Sequence, residues 1–167
     1  PQRKSPRLNA YDYAQSGAYF VTICTHLRQC RFGYIVNEQM RYSALGEIAA
    51  SCWLALPDHF STIELDLWVV MPNHVHGIVV LHEDGSARLT EVIGNYKAAV
   101  TRAWQRSTGG MGQGRGGIYP APTNDPARIW QRNFHDHIIR NERALNQIRQ
   151  YILANPTRWS TDSYYRA

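Results

Sequence analysis

The stretch of sequence that decides the fold is residues 67–81, LWVVMPNHVHGIVVL. Two short runs rich in valine stand on either side of Met71-Pro72-Asn73, and runs of this length and composition indicate buried β-strands rather than helices. Pro72 has no N–H to donate to a neighbouring strand, so it should end the first strand and help the chain to turn. The stretch therefore predicts two adjacent antiparallel strands joined by a tight turn.

The second of these strands opens with His74-Val75-His76. Because side chains alternate along a strand, both histidines face the same side, roughly 6.5–7 Å apart, and Val75 faces the other side. Two imidazoles placed in this way can share one metal ion. A pair of exposed or hydrogen-bonded histidines gives the same pattern, so the motif alone leaves both interpretations open.

The charge of the chain points to its class of partner. The 167 residues carry a net charge of +5, and lysine occurs only at Lys4 and Lys97, so nearly all the positive charge is arginine. The planar guanidinium matches phosphate with two parallel hydrogen bonds, and an arginine-weighted basic domain favours nucleic acid as partner. A GC-rich genome produces the same bias, which leaves a compositional explanation open.

The compartment is indicated by the cysteines and by the hydropathy. The three cysteines, Cys24, Cys30 and Cys52, are odd in number and show no CxxC spacing, so reduced thiols in a cytoplasmic, nucleoid-associated protein are expected. No apolar run approaches the roughly 18 residues that a membrane span requires. The length is that of one domain, residues 1–167.

The periodicity of the remaining chain predicts the fold class. Strands are expected at 18–26, 32–36, 63–70, 75–81 and within 128–139, helices at 43–56, 88–104 and 141–155, a basic arm at 1–16 and a Gly/Pro-rich loop at 107–126. The strand at 32–36 is expected to pair with the strand at 18–26. The resulting βαββαβ order predicts an α+β fold of the ferredoxin-like type, an antiparallel sheet with two helices on one face. The last helix is additional to that pattern.

The last helix carries a second pair of polar residues. Tyr151 and Asn155 are four residues apart, so they lie one turn apart along the edge of the apolar stripe formed by Leu145, Ile148 and Ile152. If this edge faces His74 and His76, an amide oxygen and a phenol join the two imidazoles. Tyr151 could equally be an aromatic residue at the edge of the core, and Asn155 before Pro156 could be an ordinary helix end.

The histidine pair and the tyrosine–asparagine pair together resemble the motifs of a known family. MPNHVHGIVV followed much later by YILANP resembles the single-tyrosine HUH transposases, in which HUH means His-hydrophobe-His, and in particular their REP-associated branch beside the insertion-sequence type. The resemblance runs from GAYFVTICTH through WQRNFHDHIIRNE to YILANPTRW, which is nearly the whole chain. Asn155 followed by proline, where insertion-sequence members more often carry glutamine, favours the REP-associated branch.

The resemblance implies an enzyme and the roles of its site residues. His74, His76 and Asn155 would bind a divalent metal, Mg²⁺ or Mn²⁺, and Tyr151 would attack single-stranded DNA to form a 5′-phosphotyrosine. The implied activity is that of a metal-dependent endonuclease and strand transferase, a transposase, on hairpin-bearing DNA. In insertion-sequence relatives the tyrosine acts across a homodimer, whereas REP-associated members can act as monomers, so both remain open here.

Further basic residues are candidates for DNA contacts. They are Lys97, Arg102, Arg132, His137 and Arg140, together with Arg3, Lys4 and Arg7 of the basic arm. His135-Asp136-His137 is a competing metal motif, but the family often has an aromatic residue where His135 stands. We therefore interpret residues 134–140 as contacting DNA and positioning the last helix.

Two other functions are consistent with parts of the pattern. A ferredoxin-like sheet with a basic face is also the architecture of RRM domains, which bind RNA without catalysis. A non-catalytic module has no reason to align His-x-His with Tyr-x-x-x-Asn and shows no dependence on divalent ions. A structural zinc domain is disfavoured because the cysteines join no ligand spacing.

Overall fold

The computed structural model describes residues 16–83, 87–109 and 128–165. All but the last residue of the predicted basic arm, including Arg3, Lys4 and Arg7, lie outside these ranges, as does the predicted Gly/Pro-rich loop after Gly109. In chain order the described elements are β1 (Gly17–Cys24), β2 (Gly33–Val36), β3 (Gln39–Tyr42), α1 (Ala44–Leu54), α2 (Leu56–His59), β4 (Ile63–Met71), β5 (His74–Leu81), α3 (Leu89–Ser107), β6 (His135–Ile139) and α4 (Glu142–Ala154). Short 3₁₀ turns occur at His26–Arg28 and Trp159–Thr161.

Four strands form the main sheet in the order β4-β5-β1-β6, and every neighbouring pair is antiparallel. The two strands predicted from residues 67–81 are β4 and β5, and the turn between them is Pro72-Asn73. This strand order, with α1 between β1 and β4 and α3 between β5 and β6, is the ferredoxin-like arrangement. The predicted α+β fold class is confirmed.

The two faces of the sheet have separate cores. Val75 and Val79 of β5 belong to the larger core, which includes Trp53 of α1 and Tyr96 of α3. Residues of opposite parity in β5, such as Ile78, pack on the other face against α4. The sheet is therefore covered by α1 and α3 on one side and by α4 on the other, which gives the additional helix its docking surface. No helix in the described ranges has the length and apolarity to cross a membrane.

The predicted pairing of residues 32–36 with the first strand is wrong. β2 pairs with β3 in a separate two-stranded sheet, because β5 and β6 already occupy both edges of β1. The turn between β2 and β3 is made by Asn37 and Glu38, both with positive φ, at 48° and 61°. Positive φ at both residues is typical of the two-residue turns that hairpins favour. The turn therefore lets β2 and β3 pair with each other directly.

The helix limits differ from the prediction by a few residues. Ser43, the first residue of the predicted segment 43–56, caps α1 by accepting a hydrogen bond from the Gly46 N–H at 3.1 Å. Pro57 lies beyond the end of α1 and is the second residue of the short helix α2, where its missing N–H costs nothing. α3 continues to Ser107, and only His135–Ile139 of the predicted segment 128–139 is strand, since Trp130 forms an isolated bridge with Thr25.

Gly77 of β5 is expected to be essential for stability. A Cβ atom at this position would lie 2.3 Å from Cζ2 of the fully buried Trp53, so Gly77→Ala forces the indole or the strand to move. We expect the free energy of unfolding to fall by about 1–3 kcal/mol, the usual cost of overpacking a core. Gly94→Ala in α3 is the control, because a Cβ there meets no atom within 4 Å and alanine should stabilise the helix. Urea unfolding of both variants measures the difference, and equal stability of the Gly77 variant and the parent would contradict the packing described.

Candidate active site

The tight turn before β5 fixes the first histidine. His74 is fully buried, and its Nδ1 lies 2.8 Å from Oδ1 of the neighbouring Asn73. The amide nitrogen of Asn73 donates to the carbonyl oxygens of Arg28 and Tyr164, at 3.0 and 2.7 Å. Asn73 is thus held by two segments distant in sequence. Its oxygen accepts the Nδ1–H of His74, so Nε2 is the ring nitrogen with a free lone pair.

The second histidine is held by the central strand. His76 lies opposite Thr22 of β1, and its Nδ1 is 2.9 Å from the Thr22 hydroxyl. Phe20, also on β1, stacks on the imidazole with ring centroids 5.1 Å apart. The rings of His74 and His76 share one face, as strand alternation predicts. Their centroids are 4.3 Å apart, which is closer than the predicted spacing of roughly 6.5–7 Å along the strand.

Burial keeps both imidazoles neutral at ordinary pH. It lowers the pKa of His76 to about 3. The pKa of His74 is held well below its usual value by burial, by the neighbouring His76 and by the Arg28 guanidinium. A neutral imidazole with an available lone pair is the form that binds a metal ion. Nε2 of His74 is also buried without a hydrogen-bond partner among the described residues.

Helix α4 brings the tyrosine to the histidines. The Asn141 side chain caps its start by accepting from the Ala144 N–H at 2.8 Å. Arg149 binds Asp66 on β4 through Nε and Nη2, at 2.6–3.2 Å, which fixes the helix along the sheet. Ile152 is buried against the same face as Ile78. These contacts determine which side of the helix faces the histidines.

The Tyr151 hydroxyl lies 3.3 Å from Nε2 of His76. The ring packs edge-on to Phe20, with centroids 6.0 Å apart, and 39% of the residue is exposed. Burial of the phenol raises the pKa of Tyr151, the Asn155 side chain opposes that rise, and the Asp162 carboxylate adds to it. The tyrosine and the histidine that meet here belong to the same chain.

Asn155 ends α4 one turn after Tyr151. It is buried, and neither its amide oxygen nor its amide nitrogen makes a well-formed hydrogen bond within the parts of the chain that are described. The amide is nevertheless close enough to the Tyr151 phenol to oppose the rise of its pKa. A buried amide that lacks well-formed hydrogen bonds is costly, and a bound water or ion is one of the ways in which proteins satisfy such a group. The ligand role predicted for Asn155 stays a prediction, and this burial is consistent with it.

The structure adds two residues that the sequence patterns did not indicate. Asp162 follows the turn Trp159–Thr161, and together with His74 and His76 it forms a group whose nearest ligand atoms all lie within 4.8 Å of one another. The Tyr164 ring lies 4.7 Å from the His74 ring. Asp162 and Tyr164 belong to no recognisable sequence motif, because they reach the site from a turn beyond the last helix.

His135 and His137 lie on the same face of the sheet as the site, two strands away from His74 and His76. They stand opposite Thr22 and Phe20 respectively, on the exposed edge strand β6. Across the described ranges, His74, His76 and Asp162 are the only group of three His, Cys, Asp or Glu residues close enough to share an ion. This is consistent with the interpretation of residues 134–140 as something other than a metal site.

The predicted DNA contacts differ in their surroundings. Arg102, Arg132, His137 and Arg140 are exposed. Lys97 is half-buried, and its ammonium donates to the carbonyl oxygens of three consecutive residues, 131–133, at 2.9–3.4 Å. It therefore holds the segment before β6 in place, and its contact with DNA stays a prediction.

A groove of about 790 Å³ runs along the exposed side of α4 and reaches Tyr151. It is lined by arginine and amide side chains, together with one acid and one alanine: Glu142, Arg143, Asn146, Gln147, Gln150, Ala154 and Arg158. Arginine and amide groups donate hydrogen bonds to phosphate oxygens. The groove was not predicted, because its residues are dispersed along a helix whose orientation the sequence alone left open.

Comparison with known proteins places the chain among relatives. No family model matches the sequence. A Haemophilus influenzae protein of uncharacterized function is 37% identical over 173 residues, covering 98% of this chain and 93% of the relative. A REP-associated tyrosine transposase bound to a REP hairpin has a similar structure, with TM-score 0.64, 19% identity and coverage of 93% of this chain and 74% of the other. A proposed transposase from Deinococcus radiodurans R1 gives a TM-score of 0.49 at 18% identity, covering 90% and 96% of the two chains.

The first structural match confirms the predicted resemblance at the level of the fold. The identity to the Haemophilus influenzae protein extends over almost the whole of both chains. The chain therefore belongs to one family with that protein, and its fold is the fold of the REP-associated tyrosine transposase.

Proposed function

We propose that this chain is a metal-dependent nuclease and strand transferase for hairpin-bearing single-stranded DNA, with Tyr151 as nucleophile. The observation that carries the proposal is the 3.3 Å separation between the Tyr151 hydroxyl and Nε2 of the buried His76. A phenol and a neutral imidazole that meet at a partly exposed position, above a second buried imidazole, form a compact set of catalytic groups. A tyrosine that only packed at the edge of the core would not require a contact between its hydroxyl and a buried imidazole.

The proposed reaction is a transesterification. The Tyr151 oxygen attacks the phosphorus and loses its proton, the bond from phosphorus to the 3′ oxygen breaks, and that oxygen leaves as a 3′-hydroxyl. The products are a 5′-phosphotyrosine and a free 3′ end, and reversal by a second 3′-hydroxyl joins strands. One phosphodiester bond replaces another, so the reaction needs no nucleoside triphosphate as a source of energy. The raised pKa of Tyr151 means that the phenol is protonated at neutral pH and must be activated in the complex.

The donor groups of the site fit a divalent cation. His74 offers a buried Nε2 without a partner, and Asn155 offers a buried amide oxygen without a partner, in each case among the described residues. His76 offers the Nε2 that contacts Tyr151. Imidazole and carbonyl oxygen ligands together suit Mn²⁺, and Mg²⁺ is the harder alternative. A cation held by His74, His76 and Asn155 would supply Lewis-acid polarisation of a phosphate oxygen.

Two surfaces around the site would hold the DNA. The groove along α4 leads to Tyr151 and would bind the phosphates of the strand that is cut, through Arg143 and Arg158. The exposed edge near β6 presents Arg132, His137 and Arg140 beside the same face of the sheet. The structural match was solved bound to a REP hairpin, which supports a hairpin as the substrate here.

Binding of single-stranded DNA should weaken steeply with salt, since each phosphate contact releases condensed counterions. The log–log slope should be about 0.7 per contact. Arg140→Gln should weaken binding and reduce that slope by about one contact. Arg41→Gln is the control, because Arg41 is exposed on the separate β2–β3 hairpin. Fluorescence anisotropy over a salt series measures both, and identical slopes for parent and Arg140 variant would contradict a phosphate contact at this edge.

The proposed function is tested by incubating the protein with end-labelled single strands that carry a hairpin and randomised flanks, with Mn²⁺ and with a chelator. The expected result is a covalent protein–DNA adduct and a fragment with a free 3′-hydroxyl, both only with Mn²⁺. A fully double-stranded version of the same DNA is the control and should remain intact. Tight binding without an adduct in any divalent ion would instead indicate the non-catalytic RRM-like module.

A further inference from the structure

Asp162 lies beside the two histidines without belonging to either of the motifs that the sequence displays. Its carboxylate and the nearest ring nitrogens of His74 and His76 are all within 4.8 Å of one another. We propose that Asp162 is a ligand of the divalent cation, so that the site contains one carboxylate in addition to its neutral donors. This inference rests on the metal-dependent function proposed above and names a ligand that the HxH and Tyr-x-x-x-Asn motifs do not include.

The distances are close to those of an assembled site. Ligand atoms that surround one ion at about 2.0–2.2 Å lie no more than about 4.4 Å apart. Three atoms that are equally spaced around one ion lie no more than about 3.8 Å apart, so a group whose ligand atoms all lie within 4.8 Å of one another has to contract by at most about 1 Å. A carboxylate on a short turn and the two imidazoles can share that movement. Nε2 of His74 is buried without a hydrogen-bond partner in the described ranges, so an ion would satisfy a group that the protein leaves unpaired.

The turn that carries Asp162 is held firmly against the site. The backbone N–H of Asp162 donates to the carbonyl of Trp159 at 3.1 Å, and Trp159 is buried near His74. Oδ1 of Asp162 accepts the backbone N–H of Tyr164 at 2.6 Å. Arg28 fixes the following residues by lying over the Tyr164 ring, 4.8 Å from its centroid. One carboxylate oxygen thus orients the side chain, and the carboxylate retains further lone pairs for an ion.

The carboxylate changes the chemistry of the site. Two neutral imidazoles and an amide bring no charge to a divalent ion, whereas Asp162 brings one negative charge. Ligand charge is a main determinant of affinity for hard divalent cations. A set of two imidazoles and a carboxylate also suits Mn²⁺, and it leaves coordination positions for Asn155 and for a phosphate oxygen.

The test is a titration of the 167-residue protein with Mn²⁺, without DNA, in which isothermal titration calorimetry measures the affinity. Asp162→Asn is the informative variant, because an asparagine oxygen can still accept the Tyr164 N–H while the negative charge is lost. We expect its affinity for Mn²⁺ to fall by about tenfold or more. Asp162→Ser, which also retains an acceptor, should behave in the same way. Asp58→Asn in α2, which removes an exposed carboxylate elsewhere, should bind Mn²⁺ as the parent does.

A second readout is the visible absorption of Co²⁺ bound in place of Mn²⁺, which depends on the ligand set. The expected result is a changed spectrum for Asp162→Asn and an unchanged one for Asp58→Asn. If Asp162→Asn binds Mn²⁺ like the parent and gives the same Co²⁺ spectrum while His76→Ala loses binding, the carboxylate is not a ligand and the inference is overturned. In that case the histidine site of the proposed function still stands. If His76→Ala also binds Mn²⁺ unchanged, the proposed metal site itself fails.

Discussion

Replacing Tyr151 with phenylalanine is expected to abolish the covalent protein–DNA adduct and to reduce cleavage of hairpin-bearing single strands by about a thousandfold or more. The substitution removes only the phenolic oxygen, which is the atom proposed to attack phosphorus. The ring that packs against Phe20 is retained, and 39% of the residue is exposed, so folding should hardly change. Binding of DNA should also be largely retained. Gel analysis of adduct and product, with anisotropy for binding, measures the three quantities separately.

Tyr164→Phe is the matched control for this experiment. Its ring lies 4.7 Å from the His74 ring, so it is a second tyrosine close to the histidine pair. The variant should still form the adduct, since Tyr164 is not proposed as nucleophile. If cleavage persists in Tyr151→Phe and disappears in Tyr164→Phe, then Tyr164 is the nucleophile and the proposed role of Tyr151 is wrong.

Replacing His76 with alanine is expected to remove both metal binding and cleavage. The loss of activity should be about a hundredfold or more, since even the partners of metal ligands contribute ten- to a hundredfold. The cause of the lost activity differs from that in Tyr151→Phe, because the nucleophile remains and only a metal ligand is lost. A high concentration of Mn²⁺ should therefore partly restore cleavage. His76 is also buried against Phe20, and its truncation should lower stability.

The thermal midpoint separates these two effects of His76→Ala. Mn²⁺ at a hundred times its Kd should stabilise the parent by about 2.7 kcal/mol, because the ion binds the folded state alone. The same concentration should leave the variant almost unchanged. His59→Ala removes an exposed histidine of α2 and should respond to Mn²⁺ as the parent does. Equal stabilisation of the parent and His76→Ala would show that the ion binds elsewhere.

The fold and half of the site could be predicted because their signals are periodic. The alternation of a strand places His74 and His76 on one face, and the 3.6-residue helix places Tyr151 and Asn155 on one edge. Ser43 was recognisable as a helix cap from its position before an apolar stripe. Each of these arguments uses only residues within one element.

What could not be predicted depends on contacts between elements. The pairing of β2 was predicted wrongly because the sequence alone does not reveal that β5 and β6 occupy both edges of β1. The Thr22 hydroxyl meets His76 across 54 residues, and Asp66 binds Arg149 across 83. Asp162 reaches the histidines from a turn that has no motif of its own. Such proximity is a property of the register and of helix docking, and neither is recorded in local spacing.

The central claim is that Tyr151 forms the covalent link to DNA, and peptide mapping of the adduct tests it most directly. Trypsin cuts after Arg149 and Arg158, so Tyr151 is the only tyrosine of its peptide, residues 150–158, whereas Tyr164 falls in the next peptide. The protein is incubated with a hairpin-bearing strand and Mn²⁺, digested with nuclease and trypsin, and analysed by mass spectrometry. The account predicts a 5′-phosphonucleotide on peptide 150–158. A nucleotide on the peptide that carries Tyr164, or on any other peptide, would contradict it.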